Sequence, residues 1–196
     1  MEAYDGLIVV WMNVASQHDD EVNAWYEGEH VAEVASIDRV YSVQRFFDAS
    51  HSLRFMAMFE CADEFVETGA GFQGMVGNAT PWTQRIRKLF GEQRRRGNYR
   101  RLLIAGDARA PEALLVVQSQ DAPTERAFER AQPLGCLRYR AFVQMPPENS
   151  FRPENKYLDI YDFGSVEAAD AARVQLAFNS SVDVSVRKSI GMPKFA

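Results

Sequence analysis

An α+β fold built from two tandem β-α-β-β-α-β repeats is what this sequence predicts, and three observations carry the prediction. Strand-like runs at residues 7–13, 53–59 and 113–119 are apolar at odd and even positions alike, so both faces of each must be covered. Helical segments follow strand runs at matching places in the two halves of the chain. The order of elements is the same before and after residue 107, although the residues differ, and it is the ferredoxin-like order. A four-stranded antiparallel sheet with helices on one face leaves its other face apolar. Two such sheets packed face to face cover one another. The expected whole is a pseudo-dimeric α+β barrel in one chain, with repeats at residues 1–106 and 107–196.

In the first repeat the strand at 7–13 leads into a helix. Ser16-Gln-His-Asp19 resembles a capping box with a shortened acid at its fourth position, and Asp19, Asp20 and Glu21 fill the first turn, where the helix dipole favours negative charge. The helix runs to about Val34. Strands follow at 40–47 and 53–59, separated by a turn at 48–51, and 62–68 read as a short helix. Residues 69–77 hold four glycines and read as a mobile surface segment. Thr80 and Pro81 open a second helix as N-cap and first helical residue. A fourth strand is expected at 99–105. In the second repeat, 113–119, 137–145, 156–163 and 183–190 read as strands, and 124–131 and 166–178 as helices. Residues 107–111 are the expected joint.

Composition narrows the class of protein. Of 196 residues, 46% are hydrophobic and 12% aromatic, enough for a packed core. The net charge of -5 argues against a nucleic-acid partner. Residues 1–6 carry an acidic start and the apolar run at 7–12 is too short for a leader or membrane segment, so a cytoplasmic protein without a membrane partner is expected. Cys61 and Cys136, one per half, read as buried thiols. His18, His30 and His51 lack zinc-site spacing, and no dinucleotide fingerprint, nucleophile elbow or kinase signature occurs, so neither metal nor cofactor is expected.

One segment resembles a known family. Asn23-Ala-Trp-Tyr-Glu-Gly-Glu-His30 is similar to the Asn-x-Trp-Tyr-x-x-x-His signature of EthD-like proteins, and Asn78-Ala-Thr-Pro-Trp-Thr83 resembles a further motif of that group. The likeness spans residues 7–105. It implies the dimeric α+β barrel superfamily, whose members include cofactor-free monooxygenases, isomerases, polyketide cyclases and haem-degrading proteins. It also implies a catalytic or ligand-contacting histidine at His30.

The residues themselves leave alternatives. Val22, Trp25, Tyr26, Glu29, His30 and Glu33 recur at helical steps, which carries His30 toward the interior either as a proton-exchanging group or as a core histidine satisfied by an acid. Tyr26 can hold an oxyanion or pack with its hydroxyl at the edge. Trp25 packs or offers a stacking surface, and Asn13 enters the cleft or turns the chain. Trp82 anchors a helix start whose backbone donors can also meet a carboxylate. Phe72 and Met75, in the glycine-bearing segment, line the cleft if that segment closes over it. The basic run from Arg85 to Arg101 reads as a solvated helix end and edge strand, with an anionic ligand as its functional alternative.

The expectation is a cofactor-free enzyme acting by proton transfer (an isomerase, dehydratase or cyclase) on a small apolar, aromatic or polyketide-like carbonyl compound. His30 is its acid or base and Tyr26 its oxyanion donor, with Asn13, Trp25, Phe72, Met75 and Trp82 binding substrate. Rival expectations are a non-catalytic small-ligand binder, a cofactor-independent monooxygenase, and a haem protein with His30 as axial ligand. No histidine lies beyond residue 51, so one active pocket per chain is expected, in the first half. A homodimer stays open.

Overall fold

The computed structural model describes residues 4–107, 110–124, 126–145, 154–178, 181–191 and 193–195. Residues 108 and 109 of the expected joint, and residue 125 of the expected helix at 124–131, lie outside them. In the first half, β1 (Gly6–Met12) leads through a short 3-10 turn (Ser16–His18) to α1 (Asp19–Trp25), a π-helical turn (Tyr26–His30) and α2 (Val31–Ala35). Then come β2 (Val40–Phe47), β3 (Phe55–Cys61), α3 (Ala70–Gly77), α4 (Pro81–Phe90) and β4 (Arg94–Gly106). The second half repeats the order with β5 (Ala113–Ser119), α5 (Ala127–Ala131), β6 (Cys136–Gln144), β7 (Tyr157–Phe163), α6 (Val166–Leu176) and β8 (Asp183–Ser189). A short β9 (Lys194–Phe195) pairs with β2.

The strand order in each half is the ferredoxin-like one, β4-β1-β3-β2 and β8-β5-β7-β6. The expectation of two separate sheets face to face needs correction. Edge strand β4 pairs with β6 and edge strand β2 pairs with β8, so the eight strands close into one continuous antiparallel barrel. Closure gives edge N–H and C=O groups of β2 and β4 partners that two stacked open sheets would have left to water.

Two-sided burial follows from the alternation of side chains along a strand. On β1, Leu7, Val9 and Trp11 point into the barrel with Phe46, Met56, Met58 and Tyr99, while Ile8 and Met12 lie under the helices with Trp25, Tyr26 and Phe59. The second half builds its own helix-covered layer around Leu115, Tyr161 and Ala172. The barrel interior is not wholly apolar. Asp162, fully buried, accepts from Arg138 and Arg140 at 2.5 Å each, and Arg140 also reaches Glu60 at 2.9 Å. Cys61 and Cys136 are buried and free.

Several local expectations change. Ser16 does not cap the first helix, which enters through the 3-10 turn without a side-chain cap bond. The stretch at 62–68 is helical only as a 3-10 turn at Val66–Thr68. Residues 70–77 are the helix α3, not a mobile segment, because Phe72 is buried there. Gly71 sits where α3 passes close to Ile37, whose Cγ2 would lie 3.1 Å from a Cβ at that position. β4 begins five residues earlier than expected, which takes Arg94, Arg95 and Arg96 out of a loop and onto a strand inside the barrel wall. No described helix is long and apolar enough to cross a membrane.

Candidate functional site

Between the helices of the first half and the outer face of its sheet lies a cavity of about 300 Å3. Its floor is Val10 and Met12 of β1 and Phe59 of β3. Trp25, Tyr26 and His30 come from the first helix, Phe72, Met75 and Val76 from α3, and Arg87 and Phe90 from α4. Arg94 and Arg96 of β4 complete it. Five residues singled out from the sequence therefore meet in one place.

The π turn sets the geometry. It inserts a residue into the helix at Tyr26–His30, and such turns alter how consecutive side chains are aimed. Trp25 is pinned first: its indole N–H donates to Thr83 Oγ1 at 2.9 Å. The His30 ring stacks on Trp25 with centroids 4.2 Å apart and planes 16° from parallel. His30 Nδ1 lies 3.2 Å from Glu33 Oε2.

The charge state follows from burial. His30 is pushed down to about 3 by desolvation, with the Arg87 guanidinium adding to the effect, while burial and Glu29 push the Glu33 carboxyl up. Histidine and acid both shift away from the charged pair, so the imidazole is neutral at pH 7, and an ionised Glu33 selects the tautomer in which Nδ1–H donates to it. Nε2 then carries the lone pair and has no hydrogen-bond partner among the described residues. A neutral imidazole held in one tautomer, with its free nitrogen beside the cavity, is a geometry that can accept a proton.

Tyr26 is buried, and its hydroxyl donates to Met12 Sδ at 3.3 Å, a weak acceptor that a ligand oxygen can replace. Burial pushes this hydroxyl well above the usual tyrosine range, so it stays a donor. The Arg45 guanidinium sits 4.2 Å from the centre of the Tyr26 ring and fixes it from the far side.

Two predicted residues fall elsewhere. Asn13 follows β1 and accepts from Arg54 Nε at 2.8 Å, beside an opening of about 550 Å3. Trp82 packs over Gly28 instead of lining the cavity. The start of α4 is also occupied by the protein itself: Thr80 caps Thr83 N, and Glu29 accepts from both threonine hydroxyls, at 2.5 and 2.8 Å. Those bonds, Thr80 first, hold the Glu29 carboxyl low.

Sequence reasoning missed Arg87, Arg94 and Arg96 as cavity residues. The signal was present in the two-residue spacing of Arg94 and Arg96, which shares a face only on a strand. The second half has a smaller counterpart cavity of about 210 Å3, without histidine, in which Asp159 accepts from Tyr139 Oη at 2.8 Å. Among the described residues no group of three or more histidine, cysteine or acidic side chains gathers to hold a metal.

No protein-family model matches this sequence, and no curated protein matches it. Solved structures do resemble it. An anthrone oxidase-like protein aligns over 99% of this chain and 94% of its own, with TM-score 0.60 and 10% identity. The R173A mutant of chlorite dismutase from Candidatus Nitrospira defluvii aligns over 97% and 93%, with TM-score 0.58 and 8% identity. A putative monooxygenase from Lactobacillus acidophilus NCFM aligns over 96% and 94%, with TM-score 0.55 and 11% identity. The shared feature is the fold: this chain is a dimeric α+β barrel formed by one polypeptide.

Proposed function

We propose that the chain is a cofactor-free enzyme that moves a proton next to a carbonyl of a small apolar, aromatic or polyketide-like compound, as an isomerase, dehydratase or cyclase. The observation that carries this reading is the His30 site: a neutral, acid-oriented imidazole with a free Nε2 beside a cavity walled by aromatic and aliphatic side chains and by three arginines. In this reading His30 Nε2 takes the proton from carbon, and Tyr26 leaves Met12 Sδ to donate to the developing oxyanion. Because burial makes His30 a weak base, the oxyanion stabilisation supplies much of the driving force. The EthD-like resemblance of Asn23–His30 supports the same residues, and the enzymes and monooxygenase-like proteins among the fold relatives support an enzyme more than a passive binder.

A cofactor-independent oxygenase is the second reading, favoured by the monooxygenase-like names among the structural relatives. A substrate carbanion formed by His30 would be its first step as well. Haem fits less well, since a cavity of about 300 Å3 does not enclose the macrocycle without moving the Phe72 and Met75 wall.

Solvent-deuterium exchange into candidate ketones and phenols tests the proposal. The wild-type chain is expected to exchange the carbon-bound proton under argon, and a folded His30→Gln chain to lose this by about 100-fold or more. Unchanged exchange in that variant removes His30 from the mechanism. Turnover that occurs only with dioxygen transfers the assignment to the oxygenase.

A further inference from the structure

Proton transfer by His30 leaves one wall of the cavity unused. Arg94 and Arg96 stand two residues apart on β4, on its helix-facing side, and Arg87 reaches the same cavity from α4. Like charges gathered beside an apolar cavity oppose one another. Arg87 and Arg94 are each held below the usual guanidinium range, first by burial and next by Arg96. Glu67 lies 2.5 Å from Arg96, and Glu33, beside His30, also faces Arg87. Arg87 gives one hydrogen bond to the Val76 carbonyl at 3.2 Å, out of five N–H donors. The Arg96 guanidinium also stands 5.9 Å from the centre of the Phe72 ring, so cationic and aromatic surfaces are contiguous.

Resting on the reading of this cavity as the substrate site, we infer that the arginine wall is an anion subsite and that the substrate is a flat aromatic or conjugated acid, its carboxylate seated between Arg87 and Arg94. The planar fork of a guanidinium matches a carboxylate through paired hydrogen bonds. Phe72 and Phe90 take the apolar body of the molecule.

The test compares 2-naphthoate with its neutral isostere 2-naphthamide, titrated calorimetrically into the full chain. The acid is expected to bind about tenfold tighter or more than the amide. Arg87→Gln and Arg94→Gln should each weaken the acid by about tenfold and leave the amide unchanged, with melting curves verifying the fold. The acid-to-amide ratio in the wild-type chain is decisive by itself if a variant does not fold. Equal affinities, or an acid affinity unmoved in folded arginine variants, overturn the subsite. Such a result leaves proton transfer to be judged by deuterium exchange. If neither probe binds, the subsite falls as well. His30→Gln should preserve acid binding while abolishing exchange, which keeps the two failures distinguishable.

Discussion

Acidification should destabilise this protein through several groups, and the contribution of one of them, His30, can be isolated. In the folded chain its imidazole is pushed down to about 3 by burial, whereas a histidine in the unfolded chain titrates near 6.5. Between those values the unfolded state binds a proton that the folded state refuses, so stability is full above about pH 6.5 and falls as the pH drops toward 3. Each pH unit in that window costs about 1.4 kcal/mol, giving about 2 kcal/mol at pH 5 and about 3 kcal/mol at pH 4. Against a typical stability of roughly 5–15 kcal/mol, that is a large fraction. Urea denaturation of wild-type and His30→Gln chains at pH 7, 5 and 4 isolates the effect. Wild type should lose about 3 kcal/mol more than the variant by pH 4. The raised Glu33 carboxyl acts in the opposite direction, and a Glu33→Gln background removes it from the comparison. Parallel pH profiles for wild type and variant, or a His30 NMR titration near 6.5, would refute the reasoning and with it the neutral, buried imidazole.

Other consequences can be checked separately. Asp162→Asn leaves Arg138 and Arg140 without their shared carboxylate inside the barrel and should cost about 3–5 kcal/mol by chemical denaturation; a loss below 1 kcal/mol would deny the network a structural role. Asp159 is pushed up to about 6 by burial, so it opposes folding as the pH rises from 3.8 through 6. Asp159→Asn should therefore stabilise the chain by about 1–3 kcal/mol at pH 8 and have little effect at pH 4, and a destabilised variant at pH 8 would contradict this. Phe72→Ala should cost about 3–5 kcal/mol and expose the amides of α3 to hydrogen exchange, whereas a segment without ordered packing would show almost no change.

Much of this architecture was legible in the chain itself. The repeated element order and the two-sided strands depend on local periodicity, and β1 displays both: alternate residues serve the barrel and the helix layer. The grouping of Trp25, Tyr26 and His30 was likewise readable from helical spacing, and the π turn did not disperse it. What only the tertiary structure decided is which edges meet and which charges become neighbours. Pairing of Phe46 with Ser189 closes the barrel through backbone hydrogen bonds between distant segments, and side-chain patterns do not record it. The burial of Phe72 overrides the three glycines within α3 to make it a helix. Asn13 lies outside the cavity, bonded to Arg54, while an early start to β4 brings Arg94 and Arg96 into it. Local sequence specifies which faces are apolar; the partners of those faces are chosen by long-range packing and by the need to satisfy every buried donor and edge.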